Sequence, residues 1–204
     1  MAIYFIGGSP CSGKSTVAQI LADSYGLRYF KVDDHLDRYL QTAAAQGKPA
    51  CQRATRMTPD EIWMRDPQLQ CEEELRIYEE IFDLILADLA ALGSQQDIIT
   101  EGAAYLPMLM QRQRIAVDRY LSITPTKDFQ VTHYRQREWV PYVLEGCSDK
   151  ETAFRNWMER DALFALAVQQ QCMDAGYVSI VNDGGMSVED MVEMVSGVLG
   201  LTAL

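Results

Sequence analysis

The sequence predicts an α/β fold, with a mostly parallel sheet and helices on both faces. Three observations carry that prediction. Short apolar runs suited to buried strands alternate with amphipathic helical stretches along the chain. A glycine-rich turn joins the first such run directly to the first helix. No proline-, glycine- or serine-rich linker divides the 204 residues, a length that suits one domain spanning 1–204.

The elements follow in order. Ala2 to Ile6 is a short apolar run, suited to a buried parallel strand. From Ser15 to Tyr25, Val17, Ile20, Leu21 and Tyr25 share one helical face, and Gly26 stops the helix. Leu27 to Val32 reads as a second strand, ending at Asp33-Asp34. His35 to Ala45 reads as a helix broken at Gly47-Lys48-Pro49, and 47–66 reads as a loop. Asp66-Pro67 starts a long amphipathic helix, with an acidic cap and proline at the first position. Its apolar positions run from Cys71 through Leu75, Tyr78, Phe82 and Ile85 to Leu92, while Glu72, Glu73, Glu79 and Glu80 fall elsewhere on the turn.

Asp97 to Thr100 is the next strand, followed by Glu101-Gly102 and a short helix within 105–114. Arg119 to Ile123 is a fourth strand, and Thr124-Pro125 caps a helix reaching about Trp139. Pro141 to Ser148 is irregular. Ser148-x-x-Glu151 matches a capping box opening a helix to about Ala175, and Gly176 stops it. Tyr177 to Val181 is a fifth strand, and Asn182 to Gly185 is a loop. Ser187 starts the last helix. Two parts are expected to move, an acceptor lobe near 34–66 and a lid near 135–150.

The stretch that carries chemistry is Gly8-Ser9-Pro10-Cys11-Ser12-Gly13-Lys14-Ser15-Thr16, a match to the phosphate-loop pattern G-x-x-x-x-G-K-[ST] at every fixed position. Glycines let the backbone curl so that successive N–H groups converge on phosphate oxygens. The following helix adds the positive end of its dipole. Lys14 can reach the outer phosphates as a point charge, and the Ser15 hydroxyl can ligate Mg²⁺. Strand, glycine loop and helix together are the context the motif requires.

Bulk properties narrow the rest. A formal net charge of −11 argues against a general nucleic-acid binder. Five cysteines without C-x-x-C spacing point to reduced thiols and a cytoplasmic setting, and with two histidines they make a structural zinc site a poor reading. No apolar run approaches about 18 residues, so no membrane span is expected, and the first strand does not read as a signal peptide. Within this acidic chain, Lys48, Arg53, Arg56 and Arg65 form a basic island. It reads either as a solvated loop or as a lobe that recognises an anionic acceptor.

A phosphate loop alone means nucleotide binding. The guanine-reading N-K-x-D of GTPases is absent from the sequence. The chain resembles the small P-loop kinases, the group that includes nucleoside-monophosphate kinases, shikimate kinase and polynucleotide kinase. Gly8 to Thr16 has the form G-x-P-x-S-G-K-S-T shared by many of them, and Asp33-Asp34 resembles their acidic pair after strand two. Glu101-Gly102 with Pro107 is similar to the E-G-x-x-x-x-P turn of 2-phosphoglycerate kinase-like proteins. The resemblance implies a P-loop NTPase fold with a five-stranded parallel sheet of order 2-3-1-4-5 and a lid.

It also implies ATP and Mg²⁺, with Asp33 as the base that takes the acceptor proton and Asp34 as its alternate. Ser15 would ligate the metal, Glu101 or Asp33 would hold its waters, and Asp34, Arg53, Arg56 and Glu101 would face the acceptor. The lid tip, Val140 to Ser148, lacks the arginines that such lids usually carry, so Arg135 and Arg137 at its entry, ahead of Arg155 and Arg160 after it, would join Lys14 in stabilising charge on the transferring group. The reading is an ATP-dependent phosphotransferase acting on a small anionic molecule, as a monomer or homodimer, with no membrane or nucleic-acid partner. A nucleotide-binding switch ATPase and a polynucleotide 5′-kinase are the alternatives.

Overall fold

The computed structural model describes residues 2–93 and 95–201. Five parallel strands are β1 (Ile3–Gly8), β2 (Arg28–Lys31), β3 (Ile98–Glu101), β4 (Tyr120–Pro125) and β5 (Val178–Asn182), arranged β2-β3-β1-β4-β5. That is the order the resemblance implies. The register places Lys31, Glu101 and Ile6 side by side, so the carboxyl ends of β2, β3 and β1 finish together.

Strand alternation divides the core into two layers. Tyr4, Ile6, Ile99, Leu121 and Ile180 face α1 (Lys14–Tyr25) and α10 (Val188–Val198), where Val17, Leu21, Met191 and Val195 meet them. Phe5, Phe30, Ile98 and Tyr120 face the other way. There they pack against α2 (Leu36–Ala45), α5 (Pro67–Ala91), α6 (Pro107–Arg112) and α9 (Lys150–Ala175).

Several local expectations need correction. The stretch 47–66 is not a plain loop but carries α3 (Pro49–Ala54) and α4 (Pro59–Trp63). Proline sits at the first turn of each, and Thr58 with Glu61 closes a capping box on α4. Glu80 on α5 accepts from the N–H groups of Ala50 and Cys51, which fixes the start of α3 from outside. The helix expected to reach Trp139 is α7 (Lys127–Arg135), capped by Thr126 because Thr124 and Pro125 still belong to β4. Between α7 and α9 the stretch expected to move as a lid carries a short helix, α8 (Val140–Val143).

The capping box at Ser148 does not form. Asp149 caps α9 instead, accepting from Glu151 and Thr152, while the Ser148 N–H donates to Asp60 and Glu151 pairs with Arg135. By contrast Asp66 caps α5 as expected, accepting from Gln68 and Leu69.

No helix among the described residues is long and apolar enough to cross a membrane. All five thiols are free.

Candidate active site

The phosphate loop is built by left-handed turns. Gly8 (φ 117°), Cys11 (φ 63°) and Gly13 (φ 93°) alternate along it, and the last is the cap residue of α1 with no side-chain cap bond. The first N–H groups of α1 therefore remain available to an anion. Gly8 is obligatory for a second reason: a Cβ there would lie 1.8 Å from the Ile123 carbonyl oxygen. Asn182 ties the loop to the end of β5, donating from Nδ2 to the Ser12 carbonyl at 3.0 Å.

Lys14 is buried, with Nζ 3.3 Å from the Ser9 carbonyl and 3.9 Å from Glu101 Oε2. Glu101 ends β3 and has no solvent exposure. Its Oε1 accepts from the Ser15 hydroxyl at 2.9 Å and from the Tyr29 phenol at 3.0 Å, while Oε2 has no hydrogen-bond partner. A buried carboxylate oxygen without a donor is expensive. Beside a Ser15 hydroxyl it fits a hydrated Mg²⁺, with Ser15 as direct ligand and Glu101 holding metal-bound waters. Glu101 thus lies beside Lys14 and Ser15 at the start of α1. Tyr29 is a residue that motif reasoning missed. Burial first, then the neighbouring Glu101 charge, pushes its phenol above its ordinary value and keeps it a donor.

Asp33 and Asp34 stand just beyond β2 on a 3₁₀ turn, Val32–His35. Neither caps a helix, because that turn and α2 have no side-chain cap bond. Asp34 is exposed and paired with Lys31 at 3.8 Å. Asp33 is exposed as well, and its charge acts on the buried Tyr78 phenol, which burial first and then Glu74 push upward. In register terms Asp33 follows Lys31 by two residues as Gly8 follows Ile6, with β3 between them. Adjacent strands lie about 4.8 Å apart, so the Asp33 backbone and the loop start project past the sheet roughly 10 Å from each other. Gly102 sits between them, where a Cβ would lie 2.7 Å from Val32 Cβ.

The arginines separate. Arg137 Nη2 lies 3.7 Å from Cys11 Sγ, over the phosphate loop. Arg135 does not reach the loop: it pairs with Glu151 at 2.8 Å and lies over the Phe154 ring. Arg155 donates to Thr152 at 3.2 Å on the surface. Arg160 is buried, paired with Glu74 at 2.8 Å and Asp161 at 2.6 Å. Arg53 faces Glu73 at 3.2 Å, and Arg56 lines a shallow outer depression with Gln52 and Glu61. The structure therefore does not bring Arg53, Arg56 or Arg135 to the phosphate loop.

A cleft of about 330 Å³ opens behind the loop, between Gly13, Thr16, Phe129, Asn182, Gly184 and Met186. Arg137 and His133 also line it, and His133 stacks on Phe129 at 3.9 Å. The Asn182–Gly185 turn forms one of its walls. Phe129 and Met186 gave no motif signal, because their meeting depends on the β4–β5 pairing.

No family model matches this chain, and no curated protein does. Solved structures do. A protein called TT1252 from Thermus thermophilus is 18% identical over 99% of this chain and 98% of its own, with a TM-score of 0.54. An uncharacterized protein from Eubacterium ventriosum is 15% identical over 99% and 100%, with a TM-score of 0.51. A shikimate kinase from Bacteroides thetaiotaomicron is 16% identical over 98% and 99%, with a TM-score of 0.49. At these identities the likeness is one of fold, and this chain has a five-stranded parallel α/β fold of order β2-β3-β1-β4-β5 that these structures share over nearly all of its length.

Proposed function

We propose that this protein is an ATP-dependent phosphotransferase that moves the γ-phosphate to a hydroxyl of a small acceptor. The observation that supports it most is the shared edge of the sheet. Lys14, Ser15 and Glu101 gather at the phosphate loop, and Asp33, an acid that caps no helix, stands one strand beyond Glu101. Phosphoryl transfer asks for positioning and charge neutralisation more than for covalent chemistry. The loop amides and Lys14 hold the triphosphate, and Arg137 lies over the same loop. Mg²⁺, when bound, supplies further charge neutralisation on the phosphates.

In the transfer, the acceptor oxygen bonds to the γ-phosphorus while the bond from that phosphorus to the β,γ-bridging oxygen breaks. The electron pair leaves with ADP, and the acceptor proton passes to Asp33 and then to solvent. The cleft along Phe129 and Met186 suits a stacked base. Asp33→Ala tests the reading: acceptor-stimulated ADP release should fall at least about 100-fold while ATP affinity stays within a few fold. Turnover near wild type in that variant would remove Asp33 from the chemistry. Hydrolysis that no acceptor stimulates would leave a nucleotide-binding switch.

A further inference from the structure

A second cavity, of about 280 Å³, lies among the helices that follow β2. Its walls come from α2, α3, α4, α5 and α9. Leu36 and Leu40 follow Asp33 on the chain, and Ile62, Ile77 and Met57 complete an apolar lining. Trp63 and Tyr78 add aromatic faces, and Tyr78 is the phenol that senses the Asp33 charge. Trp63 stacks on Trp157 at 4.7 Å and packs against the same buried cluster as Cys11 of the phosphate loop. The cavity thus shares Tyr78 with the surroundings of Asp33, and Trp63 with the cluster against which Cys11 packs.

Its charges are already spent on one another. Arg65 faces Glu73 at 2.6 Å, and Arg53 approaches the same carboxylate from outside. Arg160 lies between Glu74 and Asp161 and over the Trp63 ring. Every arginine in the cavity wall therefore has a carboxylate partner, and Asp33 adds a further negative charge nearby. A phosphate or carboxylate entering here would have to displace a mostly buried carboxylate from its arginine, which leaves that carboxylate uncompensated. Of the buried polar atoms in the wall without a hydrogen-bond partner, Glu73 Oε1 and Oε2 and Arg160 Nε have ion-pair partners, whereas Gln70 Oε1, on a side chain almost wholly buried, and Arg65 Nε have neither. Gln70 Oε1 can accept a hydrogen bond and Arg65 Nε can donate one, the two capacities that a hydroxyl or amide combines.

We infer that this cavity binds the acceptor, and that the acceptor is an uncharged alcohol with an apolar or aromatic body and one further hydroxyl or amide group. The inference rests on the phosphotransferase reading and replaces the anionic acceptor that the basic island suggested. Those arginines face Glu73 or the outer surface instead.

The experiment uses the full chain loaded with Mg²⁺ and a non-hydrolysable ATP analogue, titrated calorimetrically with matched probes. One pair is 1-phenyl-1,2-ethanediol and mandelate, another is uridine and uridine 5′-monophosphate, and a panel of other uncharged ring-bearing alcohols accompanies them. ADP release with ATP is measured separately for each. Uncharged probes should bind at least about tenfold more tightly than their anionic counterparts. Leu40→Lys, at a half-buried position, should weaken that binding at least tenfold with ATP-analogue affinity unchanged. Leu36→Lys serves as the second variant should the first lose its folded circular-dichroism signal.

Tighter binding of mandelate or the monophosphate, or no binding of any uncharged probe, overturns the inference. ADP release stimulated only by anionic probes overturns it while leaving the transferase reading intact. Uncharged probes that bind in a Leu40-dependent way without stimulating ADP release support the cavity assignment and overturn the transferase reading.

Discussion

The Ser15 hydroxyl donates to Glu101 Oε1 at 2.9 Å, joining the first turn of α1 to the tip of β3. Lys14, one residue earlier, faces the other oxygen of the same carboxylate at 3.9 Å. Glu101→Gln keeps the shape and removes the charge. It leaves Lys14 without its counter-ion and weakens the hold on metal-bound water. Mg²⁺-dependent turnover should drop about 10–100-fold, with ATP binding in the absence of metal changed far less. Equal losses in both measurements would mean that Glu101 only holds up the loop.

Tyr29→Phe removes one of the two donors to Glu101 Oε1 and nothing else of comparable size. Stability should fall by about 0.5–1.5 kcal/mol in denaturant unfolding, and half-saturation for Mg²⁺ should rise several-fold with kcat at saturating metal nearly unchanged. Since the phenol acts through Glu101, the double variant with Glu101→Gln should be no worse in metal dependence than Glu101→Gln alone. Additive losses would show that Tyr29 acts on its own.

How far such relationships were legible depended on their range in the chain. The phosphate loop could be read because its cradle, lysine and hydroxyl lie on nine consecutive residues, Gly8 to Thr16. The strand and helix order followed from periodicity, and the sheet order from the resemblance. Glu73 could not be read in the same way. On the helical period of α5 it counts as a polar position, yet it is buried because Arg53 and Arg65 reach it from α3 and the turn after α4. The same pairing explains why a basic island that suggested an anion site carries no free cation into the cavity. Ser148 misled for a local reason: its N–H is taken by Asp60, so the cap passes to Asp149.

Two neighbouring arginines should behave differently. Arg137 lies against Cys11 above the phosphate loop, whereas Arg135 is held on the surface by Glu151. Arg137→Ala should raise the KM for ATP or lower kcat by about tenfold or more, in line with the loss of a charge-assisted phosphate contact. Arg135→Ala should stay within about threefold, because an exposed pair contributes at most about 1 kcal/mol. Steady-state kinetics on the two purified variants settles the contrast, and a larger loss at Arg135 would mean that the lid turns over during the cycle.

Gly102 spaces the acid from the loop. A methyl group there meets Val32 Cβ at 2.7 Å and Cγ2 at 2.9 Å, and these are the side chain just before Asp33 and not a flexible end. Gly102→Ala should push the start of the 3₁₀ turn away from β3. A displacement near 1 Å in a transfer geometry costs up to about 100-fold in rate. The expected signature is a fall in kcat with ATP affinity retained, read from transfer assays beside nucleotide titration. A loss confined to ATP affinity would place the strain in the phosphate loop instead.

Asp161 supplies a pH signature. It is almost wholly buried on α9, beside Arg160 and within reach of Tyr134, and Glu74 lies across Arg160. Burial pushes its carboxyl up to about 6, against the pull of Arg160, while Asp161 and Glu74 together hold the guanidinium charged despite its own burial. A carboxyl that binds its proton more tightly folded than unfolded is a burden above the folded value. The burden lifts as pH falls through about 6 toward the ordinary carboxylate range near 4. Asp161→Asn cannot take up that proton. The stability of the wild type relative to this variant should therefore rise, by about 1–2 kcal/mol, as pH is lowered from 7 to 5. Urea unfolding of both proteins at the two pH values measures it. A gap that shrinks on acidification would mean that the ion pair with Arg160 outweighs burial, with the Asp161 carboxyl held below its unfolded value.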